Sequence, residues 1–351
     1  MPLTLAALFH PIIRLQKVSR VGLKWVASFL IVGAVSSLWT IDVVATTTAV
    51  LAWGYTVACC YILCGLGWIR ATNILVISVG ALCAVCLAYG AASGAAFVEY
   101  QGVQRLQGVL YGPHALAQPA AVGLCLLASG QVKLSYRLRG VLTIIIASAL
   151  WMTASRQAIA AGVLGIAIAL ALRANGAMLR LIGATIALAA TAVWAFLFPD
   201  AGLFSLLARG EGDDISTLTG RTSIWNAAVD LIAMEPYLGY GFGAGGVALQ
   251  GYYRSGLADW TTYNAHNGFL QCLLDLGFVG LLVFGSLFAF ALRRCMHLPR
   301  TIAVPVFACT LALTMVERGF YGVGGFAPLF LCIFALFPRA AVVPDNKLRK
   351  S

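Results

Sequence analysis

Charge is scarce in this chain. Only 10% of its 351 residues are Asp, Glu, Lys or Arg, against roughly 25% in a soluble domain, while 61% are hydrophobic. A water-soluble core cannot absorb that much apolar surface, so a soluble enzyme or binding module is excluded. Cysteine is missing from every segment that could face an oxidising compartment. The ten cysteines all lie in apolar runs or, for Cys295, at the end of one. That placement excludes a disulfide framework, and Cys83-x-x-Cys86 inside an apolar helix reads as packing rather than redox or metal chemistry. Carboxylates clustered with histidine are also lacking. The nearest acidic group, Glu211, Asp213 and Asp214, reads as a solvated loop tip, so neither a metal nor a cofactor is expected. No nucleotide cradle is present either. The run Gly239, Gly241, Gly243, Gly245, Gly246 follows no strand and opens no helix of a βαβ unit, which leaves a flexible hinge or a close backbone approach to a substrate.

Long apolar runs are what the chain has. A helix needs ~20 apolar residues to cross ~30 Å of hydrocarbon, because lipid offers the backbone no other hydrogen-bond partner. Spans are expected at about 22–40, 43–66, 72–92, 113–130, 139–154, 157–173, 178–197, 267–292, 301–317 and 323–338. The fold class is therefore an all-α polytopic membrane protein with about ten transmembrane helices, a single membrane domain over 1–351, in the inner membrane. The first twenty residues are too basic to span, and no small-residue cleavage site follows the first apolar run, so that span is expected to stay as an anchor.

Basic loops are retained in the cytoplasm. One alternating set of connections holds seventeen of the 23 basic residues, including Arg14, Lys17, Arg70, Lys133, Arg139, Arg173, Arg294 and Lys347. Both termini are thus expected to be cytoplasmic. The net charge of +11 is positive-inside signal, and no nucleic-acid partner is expected. The other set holds Arg105, Arg156, Arg209, Arg221, Arg254 and Arg318 and no lysine, together with ten of the 12 acids. Guanidinium forks suit phosphate and carboxylate, so the working face is expected to be periplasmic.

Only one connection is long, the outer segment 198–265, and it reads as the functional insert. Within it Ile224, Trp225, Ala228, Leu231 and Ile232 recur with helical spacing, which predicts an amphipathic helix over 221–234 lying on the membrane surface and ending before Pro236. Arg221 falls on its apolar stripe, where it either snorkels or binds something. A shorter outer connection, 93–112, carries Glu99 and Arg105. Arg156 interrupts apolar sequence extending from 141 to 172, and one helix of that length would measure ~50 Å, so the chain must turn back there. His266 opens the eighth span, where a helix N-terminus disfavours imidazolium and suits a proton acceptor; a capped interfacial histidine is the alternative. Gly277 and Gly280 return to the His266 side and would let another helix approach. Asp275 lies on nearly the opposite face, where it pairs with Gln271 or a neighbouring helix or has a role of its own, and it stays outside the proposed site.

Taken in order, Arg105-x-x-Gly108, Gly112-Pro113-His114, Ser155-Arg156, Gly220-Arg221-x-x-x-Trp225, Pro236-x-x-Gly239-x-Gly241 and His266-Asn267, with Gly277-x-x-Gly280 nine residues further on, resemble the signature of the O-antigen ligase and polymerase superfamily. The likeness covers about 100–285, and His114 stands where asparagine is usual. It implies a GT-C-like membrane glycosyltransferase of the bacterial inner membrane. Such an enzyme takes a glycan from undecaprenyl diphosphate on the periplasmic face and passes it to an acceptor hydroxyl. Under that resemblance Arg156 and Arg221 would hold the diphosphate and His266 would be the general base, with Arg105, His114 and Arg318 as auxiliaries. Transfer would be metal-independent and inverting. The modest loop favours a surface-polysaccharide polymerase acting on a second lipid-linked glycan. A ligase acting on lipid A core is the alternative, and a lipid-linked sugar transporter or flippase is the competing class.

Overall fold

The computed structural model describes residues 17–100, 103–174, 177, 183, 221–254, 261–322 and 325–338. Apolar runs become helices wherever the sequence predicts spans and is described. They are α1 (Arg20–Val35), α2 (Val43–Gly65), α3 (Trp68–Ala92), α4 (Pro113–Ala128), α5 (Tyr136–Met152) and α6 (Arg156–Ala171). After a gap follow α7 (Arg221–Met234), α8 (Gly245–Tyr252), α9 (Gly268–Cys295), α10 (Arg300–Val316) and α11 (Ala327–Leu336). The expected span 178–197 and the loop portion 198–220 lie outside the described residues, apart from the isolated Gly183.

Among the described residues, four segments are long and apolar enough to cross a membrane: Arg20–Leu38, Val43–Gly65, Trp68–Ala92 and Gly268–Cys295. Pro113–Ala128, Arg156–Ala171, Arg300–Val316 and Ala327–Leu336 are shorter apolar helices. A 16-residue helix measures ~24 Å and reaches only part of the way through ~30 Å of hydrocarbon. The chain is a predominantly helical integral membrane protein. One amendment to the all-α expectation is needed. In the 93–112 connection, β1 (Phe97–Tyr100) pairs antiparallel with β2 (Val103–Leu106), placing Val98 opposite Arg105 and Glu99 opposite Gln104.

Helices α1, α2 and α9 start where a short polar side chain takes free N–H groups of the first turn. Ser19 accepts from Gly22, Asp42 from Ala45 at 2.9 Å, and Asn267 from both Phe269 and Leu270. All ten cysteines are buried and free. The core centres on Phe29, whose ring lies 4.9 Å from Trp53, 5.6 Å from Phe242 and 5.5 Å from Phe284, centroid to centroid.

Phe242 belongs to the glycine run, and its burial shows where that run goes. Helix α9 is broken at Gly277, whose φ of 61° and ψ of −160° are not helical. The break frees carbonyls and amides that the 236–241 segment satisfies. Tyr240 N–H donates to the Leu274 carbonyl and Gly241 N–H to that of Asp275, while Phe278 and Val279 N–H donate to the carbonyls of Pro236 and Tyr237. The backbones lie so close that a Cβ on Gly277 would sit 2.3 Å from the Tyr237 backbone, and one on Gly239 2.7 Å from that of Asp275. Two expectations change here. The glycine run approaches protein backbone, and the partner at Gly277 is this loop rather than another helix; the atoms nearest a Cβ on Gly280 are those of Leu276 on its own helix.

The connections sort into two ends of the bundle. At one end residues 39–41 meet the 236–241 loop, Arg105 meets Thr153, and α9 begins against the end of α10. At the other, Asn73 meets Lys133, Arg173 meets Ala128, and Arg294 meets the Phe337 carbonyl.

Candidate functional site

Asn267 and Gly268 bring the two central arms of the site together. Asn267 donates to the Met315 carbonyl, and Gly268 lies so close to the end of α10 that a Cβ there would sit 2.6 Å from the Arg318 carbonyl oxygen. This approach sets His266, just outside the α9 cap, against Glu317, just past the end of α10. His266 Nδ1 lies 3.2 Å from each carboxylate oxygen of Glu317. The histidine therefore precedes the helix instead of opening it.

Glu317 is the hub. Its side chain is 6% exposed, and a carboxylate so dry needs several partners. Arg221 Nη2 donates to Oε1 at 2.9 Å, Asn264 Nδ2 to Oε2 at 3.3 Å, and His114 Nδ1 lies 3.9 Å from Oε1. Burial alone would push this carboxyl up, but its hydrogen bond to His266 and the neighbouring positive groups, the Arg221 guanidinium among them, outweigh burial and hold it down at about 2. It is thus a permanent anion at any working pH.

Arg221 begins α7, and the apolar face of that helix is not free. Ile224, Ala228 and Leu231 pack with Leu249, Ala265 and Leu274 of the loop and α9. The same guanidinium nitrogen that reaches Glu317 also donates to Gln157 Oε1 at 3.1 Å, so Arg221 ties α7 to α6 and to the hub. Arg156, one residue before Gln157, is half-buried at the first position of α6, after the tight turn 153–155. The expected reversal at Arg156 is therefore present. His114, second residue of α4, is 3.4 Å from Ser155 Oγ, and Arg105 Nε donates to the Thr153 carbonyl at 3.0 Å. Arg318 donates to Asn264 Oδ1 at 3.0 Å and to the Tyr263 carbonyl. All six residues singled out from the sequence lie at one end of the bundle. Their brackets are the turn 153–155, the Asn264–His266 corner and the end of α10.

Backbone strain gathers at the same place. Among the described residues, the non-glycine positions with positive φ are Ala154, at 49°, and His266, at 50°. Such conformations cost roughly 1–3 kcal/mol and persist only where the surroundings impose them. At His266 the surroundings are visible. Its N–H donates to Asn264 Oδ1 at 2.9 Å, Trp225 Nε1 donates to the Ala265 carbonyl at 2.9 Å, and Gln271 Oε1 accepts from Ala265 N–H at 3.0 Å.

Gln271 continues to Asp275, which accepts from Gln271 Nε2 and from the backbone N–H of Gly243 and Gly245, and takes the Tyr321 hydroxyl at 2.9 Å. Asp275 does pair with Gln271, and it lies outside the cluster that touches His266. Glu317 is the residue that sequence reasoning missed. Its one signal was position: an acid beside Arg318 at the end of an apolar run, with no loop in which to be solvated.

Fold and site together define a polytopic helical membrane protein in which the buried carboxylate of Glu317 gathers two histidines and several arginines at one end of the bundle. Residues 141–285 match the family model described as O-antigen ligase. The match contains Arg156, Arg221 and His266, while Arg105, His114, Glu317 and Arg318 come to the cluster from outside it. Comparison with curated proteins gave no match. A chain from a solved structure described as "Structural coordination of polymerization and crosslinking by a peptidoglycan synthase complex" aligns over 92% of this chain and 98% of its own, with 18% identity and a TM-score of 0.44, a likeness too distant to transfer an activity.

Proposed function

We propose that this chain is a surface-polysaccharide polymerase with ten crossings, which transfers glycan from undecaprenyl diphosphate to a sugar hydroxyl on the periplasmic face. The observation that carries the reading is the His266–Glu317 pair ringed by Arg221, His114 and Asn264. With Nδ1–H donating to Glu317, the Nε2 lone pair is left to take a proton. The acceptor hydroxyl loses its proton to Nε2 as its oxygen forms a bond to the anomeric carbon. The bond from that carbon to the diphosphate oxygen breaks on the opposite face, so the configuration inverts. The diphosphate leaves with the bonding pair, and the guanidinium groups of Arg156 and Arg221 meet its charge. Arg105 and Arg318 border the same cluster as auxiliaries. Glu317 stabilises the imidazolium that forms and fixes the ring; it is a positioning residue.

One carboxylate among several cations is a poor donor set for a divalent metal and a good one for an anionic leaving group, which supports a metal-independent transfer. The family description favours a second reading, in which the same chemistry delivers the glycan to lipid A core. The lipid profile of a deletion strain separates the two. Loss of a polymerase leaves single lipid-linked repeats, whereas loss of a ligase leaves long lipid-linked chains.

A further inference from the structure

At the end of the bundle away from the His266 cluster, a cavity of about 530 Å³ opens between α4, α5 and α6. Its rear wall is apolar, formed by Leu124 and Leu127 of α4 and Ile166 of α6. Its rim carries Tyr136 and Arg139 of α5 and Arg173 after α6. Arg173 donates to the Ala128 carbonyl at 2.6 Å, which fixes one guanidinium at the rim. Arg139 is half-buried and, among the described residues, pairs with no carboxylate. A half-buried cation in an integral membrane protein needs an anion, and the wall beneath it needs an acyl chain.

We propose that this cavity is a binding site for an anionic glycerophospholipid, with the headgroup phosphate between Arg139 and Arg173 and an acyl chain against Leu124, Leu127 and Ile166. Charge complementarity selects the occupant: the rim offers two guanidinium forks and no acid, which matches a phosphodiester and gives a zwitterionic lipid's ammonium nothing to pair with. Tyr136, its ring mostly exposed at the start of α5, stands at headgroup level, where amphipathic rings settle. The site is independent of the transfer reaction, since its argument uses none of the residues around Glu317.

Native mass spectrometry of the purified full chain, titrated with phosphatidylglycerol or phosphatidylcholine, tests the site without an activity readout. The parental protein is expected to retain phosphatidylglycerol about tenfold better than phosphatidylcholine. Arg139→Gln should reduce that preference to about twofold, and Arg139→Lys should leave it in between, because the charge stays and the fork is lost. Arg293→Gln removes an exposed charge at the same end of the bundle, outside the cavity lining, and should change nothing. Equal retention of the two lipids by the parental chain, or a preference unchanged in Arg139→Gln, would overturn the proposal. So would an equal loss in Arg293→Gln, because the effect would then be a diffuse surface charge. Arg139 lies beyond the Ser135 cap of α5, so its substitution spares the cap, and parental glycan output from Arg139→Gln would confirm a folded protein.

Discussion

At the residue scale the decisive contact is the 3.2 Å approach of His266 Nδ1 to Glu317. If His266 is the general base, His266→Ala should insert normally and bind donor, yet lose ~10²–10⁴-fold in turnover. Equal rates for the two proteins from pH 6 to 8 would transfer the role to another group, with His114 next in line. Glu317 makes a separate claim. Its folded-state carboxyl is held at about 2, below the ~4.3 of an unfolded glutamate. A depressed carboxyl contributes stability that is fully present above the unfolded value and is lost as pH falls from ~4.3 toward 2. Acid denaturation followed by circular dichroism should therefore lose this contribution in Glu317→Gln, which at neutral pH should also be the less stable protein. For Arg221, replacement by Lys keeps the charge but loses the planar guanidinium, whose Nη2 alone reaches both Glu317 and Gln157 and whose remaining N–H groups are proposed to meet the diphosphate. Strong impairment with normal insertion is expected, and near-normal glycan output would remove Arg221 from the site.

At the scale of elements, the broken helix α9 and the loop that fills its break form one unit. Neither Gly277 nor Gly239 tolerates a Cβ, because the atoms that would be struck are backbone and both positions have positive φ. Gly277→Ala should therefore destabilise the protein by more than the ~1 kcal/mol of an ordinary helical exchange, read as a drop in melting temperature in detergent. Tyr321→Phe is milder. It removes one hydrogen bond to Asp275 without changing volume, and a loss of about 1–2 kcal/mol is expected. Neither element was legible as such. Alternating glycines read equally well as a flexible hinge, because sequence gives the freedom of a glycine and not the neighbour that requires it. Likewise the apolar periodicity of 268–295 continues through Gly277 without a mark. The hairpin 97–106 was hidden for a simpler reason: strands of four residues are too short for alternation to stand out from a loop.

For the whole molecule, the positions of the helices were readable because a membrane imposes length and apolarity together, and nine of the ten expected spans coincide with described helices. The cluster was readable only in part. His266, Arg156 and Arg221 stood out as polar residues in apolar surroundings, whereas Glu317 meets partners 51 and 96 residues away, a pairing no local pattern announces. Which way the bundle faces is testable directly. Reporter fusions near Arg156, within 205–260 or after Phe320 should report the periplasm, and those after Arg139, Arg294 or Arg349 the cytoplasm. A cytoplasmic report from 205–260 would remove the proposed mechanism, since the lipid-linked donor would then be on the other side.

The broken helix also fixes an order of assembly. Residues 236–241 leave the ribosome before 274–279, yet each segment holds the hydrogen-bond partners of the other. Until α9 has been threaded into the bilayer, the loop can hold only residues 36–41 and lacks its 274–279 partners, and Phe242 has Phe29 but not Tyr321 to lie against. The aromatic centre therefore closes late in synthesis, although Phe29 and Trp53 are made early. A nascent chain stalled before residue 274 would present part of its glycine loop as unpaired backbone, open to the membrane's quality-control proteases.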